Sequence, residues 1–282
     1  MPYGDNTEQK RVQMTIPRLR KMKESHEKIA MLTCYDSTFA QAIDRTGVIH
    51  TVLIGDSLGM VLQGHRDTLK VTIDQIAYHV ESVARANTKM VVIGDMPFGT
   101  FTTSEDAYRN AHRLMEAGAQ MVKVEGNRDW LYDIVEYMTL REIPVCAHIG
   151  LTPQSVHRFG GWKIQGKERH DAEGLMLAAS SLENAGASMI VLELMPEELG
   201  QTITESVKIP TIGIGAGRHT DGQVLVLHDM LGLNTRAAKF VRNFMVDPSS
   251  ISIEDAILLY GESVRDGRFP GPEHVYHSEA LQ

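Results

Sequence analysis

The chain has 282 residues, 43% of them hydrophobic, and carries 28 Lys and Arg against 36 Asp and Glu for a formal net charge of −8. That balance argues against nucleic acid or an anionic membrane surface as the main partner, and no apolar run reaches the roughly 18 residues that span a bilayer. The length exceeds an average domain but suits one α/β barrel.

Met1 to Arg11 is polar with no apolar signal segment, so export is not expected. Cys34 and Cys146 each sit inside an apolar, strand-like run without metal-ligand spacing, so neither a disulfide nor a thiolate zinc site is expected. The reading is a reduced, soluble, cytoplasmic protein.

Residues 1–14 read as disordered or peripheral. Thr15 to His26 predicts a basic amphipathic helix capped by Thr15, with Pro17 tolerated in its first turn. Ile29 to Tyr35 is a strand closed by Asp36, and Ser37 to Thr46 a helix stopped by Gly47. The run Val52 to Ile54 ends abruptly in Gly55-Asp56-Ser57, the pattern of a buried parallel strand that delivers polar groups to a sheet rim. A loop from Gly59 to Val71 follows, then a helix opened by Thr72 and Asp74 and running to about Asn87.

The alternation then becomes regular. Met90 to Asp95 is a strand, followed by a helix capped by Thr103 or Ser104 and stopped at Gly118. Met121 to Glu125 is a strand and Asp129 to Glu142 a helix; Pro144 to His148 is a strand followed by a long loop, Gly150 to Gly166. Helix Asp171–Gly186, strand Ser188–Glu193, a helix from Pro196, strand Pro210–Ile214 and strand Gln223–His228 complete the pattern. Two closing helices are expected near Ala237–Val246 and Ile253–Asp266, then an irregular tail. Eight strands alternating with helices, without a linker or composition break, predict an α/β fold, one (β/α)₈ barrel domain over 1–282 with a short N-terminal helical extension and C-terminal helices. The competing architecture is an open doubly wound sheet, which rarely spreads carboxylates over so many consecutive strand ends.

Active sites of such barrels form where the strand C-termini meet. The ends here carry Tyr35-Asp36, Asp56-Ser57, Asp95, Lys123 with Glu125, His148, Glu193, and Gly215 with Gly217. Lys123 and Glu125, two apart, share a strand face, and the inward one avoids burying charge under helices. Asp56, Asp95 and Glu125 offer only oxygen donors, which selects Mg²⁺ or a similar hard ion; the alternative is that each acid merely caps a helix or pairs with a base. Glu193 lies among Met189-Ile190-Val191-Leu192 and Leu194-Met195, so desolvation is expected to raise its pKa as suits a general base. The alternative there is pairing with a nearby cation. His148 is either a ligand-orienting donor or a satisfied core histidine. Gly213 to Gly217 either cradles a phosphate through backbone amides or simply permits close packing.

The segments Thr33-Cys34-Tyr35-Asp36, Gly55 to Met60 with Gln63-Gly64-His65, Asp95 to Phe98 and Val122 to Gly126 then combine with His148 to Ser155 and Gly160-Gly161. Val191-Leu192-Glu193, Ile212 to Gly217, Thr220 to Gln223 and Pro270 to His274 complete the set. From about Thr15 to His277 the chain resembles the ketopantoate hydroxymethyltransferases. The resemblance implies a fold similar to the phosphoenolpyruvate mutase and isocitrate lyase barrels, a ring-like homodecamer, and a cytoplasmic enzyme of pantothenate synthesis. Its substrates would be 5,10-methylenetetrahydrofolate and 3-methyl-2-oxobutanoate, and its product 2-dehydropantoate. Carried over residue by residue, Asp56, Asp95 and Glu125 are metal residues, Asp56, Ser57, Asp95 and Lys123 contact substrate, and Glu193 accepts the proton. His148 is a further candidate substrate-binding residue. Mg²⁺ chelated by the oxoacid would stabilise an enolate, with Lys123 a fixed charge rather than a Schiff-base nucleophile.

Two rival readings are a folate-independent, Mg²⁺-dependent carbon–carbon lyase of the same superfamily and a non-catalytic binding barrel. The first normally needs a loop cysteine, and Gly150–Gly166 has none; the second predicts degraded strand ends. Trp162, where a smaller aromatic is usual, and Leu233–Lys239, which lacks the usual glycine-and-proline loop, depart from the family pattern.

Overall fold

The computed structural model describes residues 12–86, 88–234 and 237–281. Residues 1–11 and Asn87, on which two of the expectations fall, lie outside them. Eight parallel strands close in sequence order: β1 (Ile29–Thr33), β2 (Thr51–Ile54), β3 (Val91–Asp95), β4 (Met121–Glu125), β5 (Val145–Gly150), β6 (Met189–Glu193), β7 (Thr211–Ile214) and β8 (Gly222–Leu225), which pairs back onto β1. The closed sheet excludes the open doubly wound alternative.

Strand alternation divides the core in two. Met31, Leu53, Val91, Ile93, Met121, Cys146, Met189, Val191, Ile212 and Val224 turn inward and fill the barrel. Their neighbours, among them Leu32, Val52, Ile54, Val92, Val122, Val124 and Ile190, pack outward under the helices. Both faces are covered, which is why these strands read as continuous apolar runs.

Helices α1 (Ile16–Glu24), α2 (Ser37–Thr46), α3 (Leu58–Val61), α4 (Ile73–Ala84), α5 (Ser104–Glu116) and α6 (Asp129–Thr139) occur in the first half. In the second come α7 (Val156–Phe159), α8 (Arg169–Asn184), α9 (Glu197–Ser206), α10 (Leu227–Met230) and α11 (Ile253–Arg265). Local chemistry sets their starts. Asp36 accepts the Phe39 N–H at 2.8 Å, Thr72 and Gln75 form a reciprocal capping box, and Thr103, not Ser104, caps α5 by accepting the Asp106 N–H.

Helix α1 seals the base of the barrel. Its Leu19 and Met22 join the interior cluster, and Lys23 donates to Asp221 Oδ2 at 2.7 Å and to the Thr204 carbonyl at 2.9 Å. Asp221 Oδ2 also accepts the Thr211 N–H and hydroxyl at 2.9 and 3.0 Å. The Thr220–Gln223 motif therefore includes a pin that holds the extension, β7 and the start of β8 together.

Four segments differ from expectation. The loops after β2 and β5 contain short helices, α3 in the first, and a 3₁₀ turn at Pro153–Ser155 followed by α7 in the second. The eighth strand stops at Leu225 because Thr33 Oγ1 accepts the Leu227 N–H at 3.0 Å and the chain turns into α10. No helix forms over the described part of Ala237–Val246, only a 3₁₀ turn at Phe244–Val246. A helix would put Phe240 and Phe244 on one face. Instead Phe240 lines the barrel mouth while Phe244 packs edge-on to Tyr260 and Phe269, with centroids 5.5 Å away in each case.

Candidate active site

A cavity of about 810 Å³ opens at the strand C-termini, and Asp56, Ser57, Asp95, Lys123, His148 and Glu193 are among its lining residues. Ladder register explains their order. Asp95 on β3 is level with Lys123 on β4, Glu125 with His148 on β5, and Gly150 with Glu193 on β6. Neighbours in register on parallel strands point the same way, so these side chains meet in a row.

The row is an alternation of charge. Lys123 Nζ donates to Asp95 Oδ1 and Oδ2 at 2.8 and 2.9 Å and to Glu125 Oε2 at 3.3 Å. His148 Nδ1 lies 3.2 Å from Glu125 Oε2, and Nε2 lies 3.2 Å from Glu193 Oε2. Neither imidazole contact is aligned as a linear hydrogen bond, so the ring acts on both carboxylates as an ion-pair partner. Burial would depress the imidazole, but Glu125 and Glu193 prevail and raise its pKa to about 9.

The same competition decides the other charges. Burial pulls the Lys123 ammonium down, yet the fields of Asp95, Glu125 and Asp56 overcome it and hold it protonated. Burial would raise Glu125, but Lys123, His148 and a backbone N–H hold it below the usual carboxylate range. Burial raises Asp95, and raises Asp56 well above the usual range with the charges of Asp95 and Glu125 adding to it.

Gln154, in the 3₁₀ turn after β5, ties the acids together. Its N–H donates to Glu125 Oε1 at 2.6 Å, and its Nε2 donates to Asp56 Oδ2 at 3.0 Å and to the Met96 carbonyl at 3.1 Å. The Asp56 N–H donates to Asp95 Oδ2 at 3.0 Å. Ser57 Oγ lies 2.8 Å from the Tyr35 hydroxyl, which burial pushes well above its ordinary range.

The apolar enclosure expected around Glu193 is not what its carboxylate meets: His148 faces it, and its side chain is 13% exposed to the cavity. Its backbone is tightly placed. A Cβ at Gly150, where φ is 94°, would collide with the Glu193 carbonyl oxygen, and Leu194 turns the chain away from β6 at φ 50°.

Among the described residues, no group of three or more His, Cys, Asp and Glu side chains converges as a ready coordination sphere. Glu125, expected as the third metal carboxylate, accepts from Gln154 and Lys123 and faces His148, while Asp56 and Asp95, themselves bonded to Gln154 and Lys123, line the cavity. Two buried acids driven upward together mark negative charge that a hard cation would relieve, and the donors are all oxygen, so the residues fit Mg²⁺.

The glycine turn after β7 holds protein groups rather than a vacant anion cradle. The Glu197 carboxylate accepts the Arg218 N–H at 2.9 Å and is clamped by its guanidinium, with Nε at 2.8 and Nη2 at 3.0 Å.

The family model described as ketopantoate hydroxymethyltransferase matches residues 13–272. The chain belongs to that family. It is 52% identical over 270 residues to the 3-methyl-2-oxobutanoate hydroxymethyltransferase of Paraburkholderia phymatum, covering 95% of this chain and 98% of that one. It is 53% identical over 264 residues to the enzyme of that name from Paraburkholderia phytofirmans, covering 93% and 96%. Solved structures with the same fold include a phosphonopyruvate hydrolase, TM-score 0.60 at 11% identity over 78% of this chain and 84% of that one. Another is 2,3-dimethylmalate lyase, a phosphoenolpyruvate mutase/isocitrate lyase superfamily member, TM-score 0.58 at 15% identity over 77% and 82%.

Within the ketopantoate hydroxymethyltransferase frame, Gln154 and Tyr35 are the residues whose part the sequence did not reveal. Pro153 before Gln154 was the available signal, since proline opens a short helical turn whose following N–H is free to bind a carboxylate. No helix among the described residues is long and apolar enough to cross a membrane.

Proposed function

We propose that the chain transfers a hydroxymethyl group from 5,10-methylenetetrahydrofolate to 3-methyl-2-oxobutanoate, with water supplying the hydroxyl oxygen and 2-dehydropantoate and tetrahydrofolate as products. Family membership supports the overall reaction. The observation that carries the division of labour is the unbroken row of Asp95, Lys123, Glu125, His148 and Glu193 across four adjacent strands.

Glu193 takes the proton from the branched carbon beside the keto group. His148, lodged between Glu125 and Glu193, keeps that carboxylate aimed into the cavity. Lys123 holds a fixed positive charge next to the anion that forms. It is paired with two carboxylates and stays protonated, so it does not add to the keto carbon. Ser57, held by Tyr35, offers a hydroxyl to the oxoacid. Asp56 and Asp95 would hold Mg²⁺, with Glu125 adding charge from the next strand, and the bound ion would supply Lewis-acid stabilisation of negative charge on the oxoacid oxygens.

The test is consumption of 3-methyl-2-oxobutanoate with and without folate and with and without Mg²⁺. Consumption that requires both supports the reading. Folate-independent cleavage favours a lyase, and no consumption under any condition overturns catalysis.

A further inference from the structure

The cavity is much larger than the oxoacid requires. At roughly 30 Å³ for each water-sized heavy atom, the eight heavy atoms of 3-methyl-2-oxobutanoate need on the order of 240 Å³. The cavity holds about 810 Å³.

Beyond the strand ends the lining carries aromatic rings beside polar groups such as His65, His228 and Asp229. The charged row belongs to the strand ends, whereas Trp162, Phe240 and Tyr276 come from segments beyond them, with Lys239 beside the last two. This aromatic wall is built into the fold. A Cβ at Gly215, where φ is 64°, would lie 2.8 Å from Phe240 Cδ1, so the ring rests on bare backbone at the β7 end. The Tyr276 carbonyl accepts the Glu197 N–H at 2.7 Å. Lys239 Nζ donates to the Val275 carbonyl at 2.6 Å and stands 5.1 Å from the Tyr276 ring centroid. That leaves two of its three donor hydrogens for another acceptor.

Trp162 completes the wall from the loop after β5. It is 48% exposed and has no ring partner among the described residues. The other tryptophan, Trp130, is about as exposed but stacks on Phe101 at 6.1 Å.

We propose that Trp162, Phe240, Tyr276 and Lys239 form the subsite for the reduced folate. The rings take the faces of the pterin and aminobenzoyl groups, and Lys239 takes a glutamate carboxylate. This rests on the folate-dependent reading above and says where in the cavity that co-substrate lies. It also gives the glycine turn after β7 a purpose, as the seat of Phe240.

Trp130→Phe leaves Trp162 as the single tryptophan, which makes it a reporter. Titration with 5-formyltetrahydrofolate should quench its emission saturably, while Trp162→Phe, which keeps Trp130, should show only the loss due to absorption by the added folate. Phe240→Leu keeps bulk without the ring, and Trp162→Ala alters an exposed position. Each should raise KM for methylenetetrahydrofolate at least about fivefold, the lower end of what loss of an aromatic stacking partner costs a flat heterocycle. Neither should change the folate-independent proton exchange of the oxoacid by more than about twofold.

Unchanged Trp162 emission, or a wild-type folate KM in both variants, overturns the subsite. So does a parallel loss of exchange in both, which would put the rings against the oxoacid instead. If the wild-type protein quenches normally but exchanges no proton, the base assignment fails and the subsite stands.

Discussion

Gln154 Nε2 donates to Asp56 Oδ2 across 3.0 Å, joining residues 98 positions apart in the chain. The backbone N–H of the same glutamine donates to Glu125 at 2.6 Å, so one short turn after β5 fixes carboxylates from the ends of β2 and β4. Both acids are buried, which works against their charge, and each Gln154 donor favours the ionised carboxylate it meets.

Removing that tie should therefore loosen metal binding without unfolding the barrel. Gln154→Met keeps the volume and loses the side-chain donors. Its affinity for Mn²⁺, followed by electron paramagnetic resonance in the absence of substrate, should fall about 10- to 100-fold, the usual cost of losing a partner that orients a metal ligand. A wild-type Mn²⁺ affinity would show that Gln154 only fills space.

Lys123 is expected to act as a charge and never as a nucleophile. Borohydride added to the enzyme with its oxoacid should trap no adduct detectable by mass spectrometry. Lys123→Met should be deficient in oxoacid binding and markedly less stable, because breaking a buried pair costs about 3–5 kcal/mol through the unpaired carboxylates left behind. A borohydride-stable adduct on Lys123 would replace the enolate route with an imine one.

Much of this was legible in the sequence. Parallel strands covered on both faces must be apolar throughout, so each run and the polar residue ending it stood out, and Asp56, Asp95, Lys123, Glu125, His148 and Glu193 could be named from position alone. What escaped were contacts made by turns. Gln154 reaches Asp56 only after the barrel closes. Phe240 and Phe244 share a helical spacing that the fold ignores, because one serves the cavity and the other the core beneath α11. The apolar neighbours of Glu193 suggested an isolated carboxyl, but those that share its face, Met189 and Val191, fill the barrel beneath it, and the partner that matters, His148, is on the adjacent strand.

Both cysteines should be inert in the folded protein. Burial pushes the thiols of Cys34 and Cys146 up to about 12 in each case, and only the thiolate attacks. At pH 8 a chromogenic disulfide reagent should find no fast-reacting thiol in native protein and two after denaturation. A fast native thiol would mean that the barrel mouth or interior opens far more than this packing allows.

The basal pin should matter for stability rather than for chemistry. Asp221→Ala strips Lys23 of its partner and leaves the Thr211 N–H without its acceptor. The cost should be about 3 kcal/mol, seen as a lowered thermal midpoint at fixed protein concentration. Proton exchange per folded molecule should be unaltered. A midpoint equal to wild type would show that α1 is not fastened through Asp221.

The central claim is that Glu193, at the end of the charged row, removes the oxoacid proton before folate takes part. Proton NMR of 3-methyl-2-oxobutanoate in deuterium oxide, with Mg²⁺ and without folate, measures that step alone through the isopropyl methine signal. The wild-type enzyme should exchange this proton. Glu193→Gln should still bind Mg²⁺ and oxoacid but exchange at least about 10²-fold more slowly, the lower end of a general base's contribution. Exchange by Glu193→Gln at the wild-type rate would contradict the account, and the base would then have to be another group on that wall, with His148 the next to test.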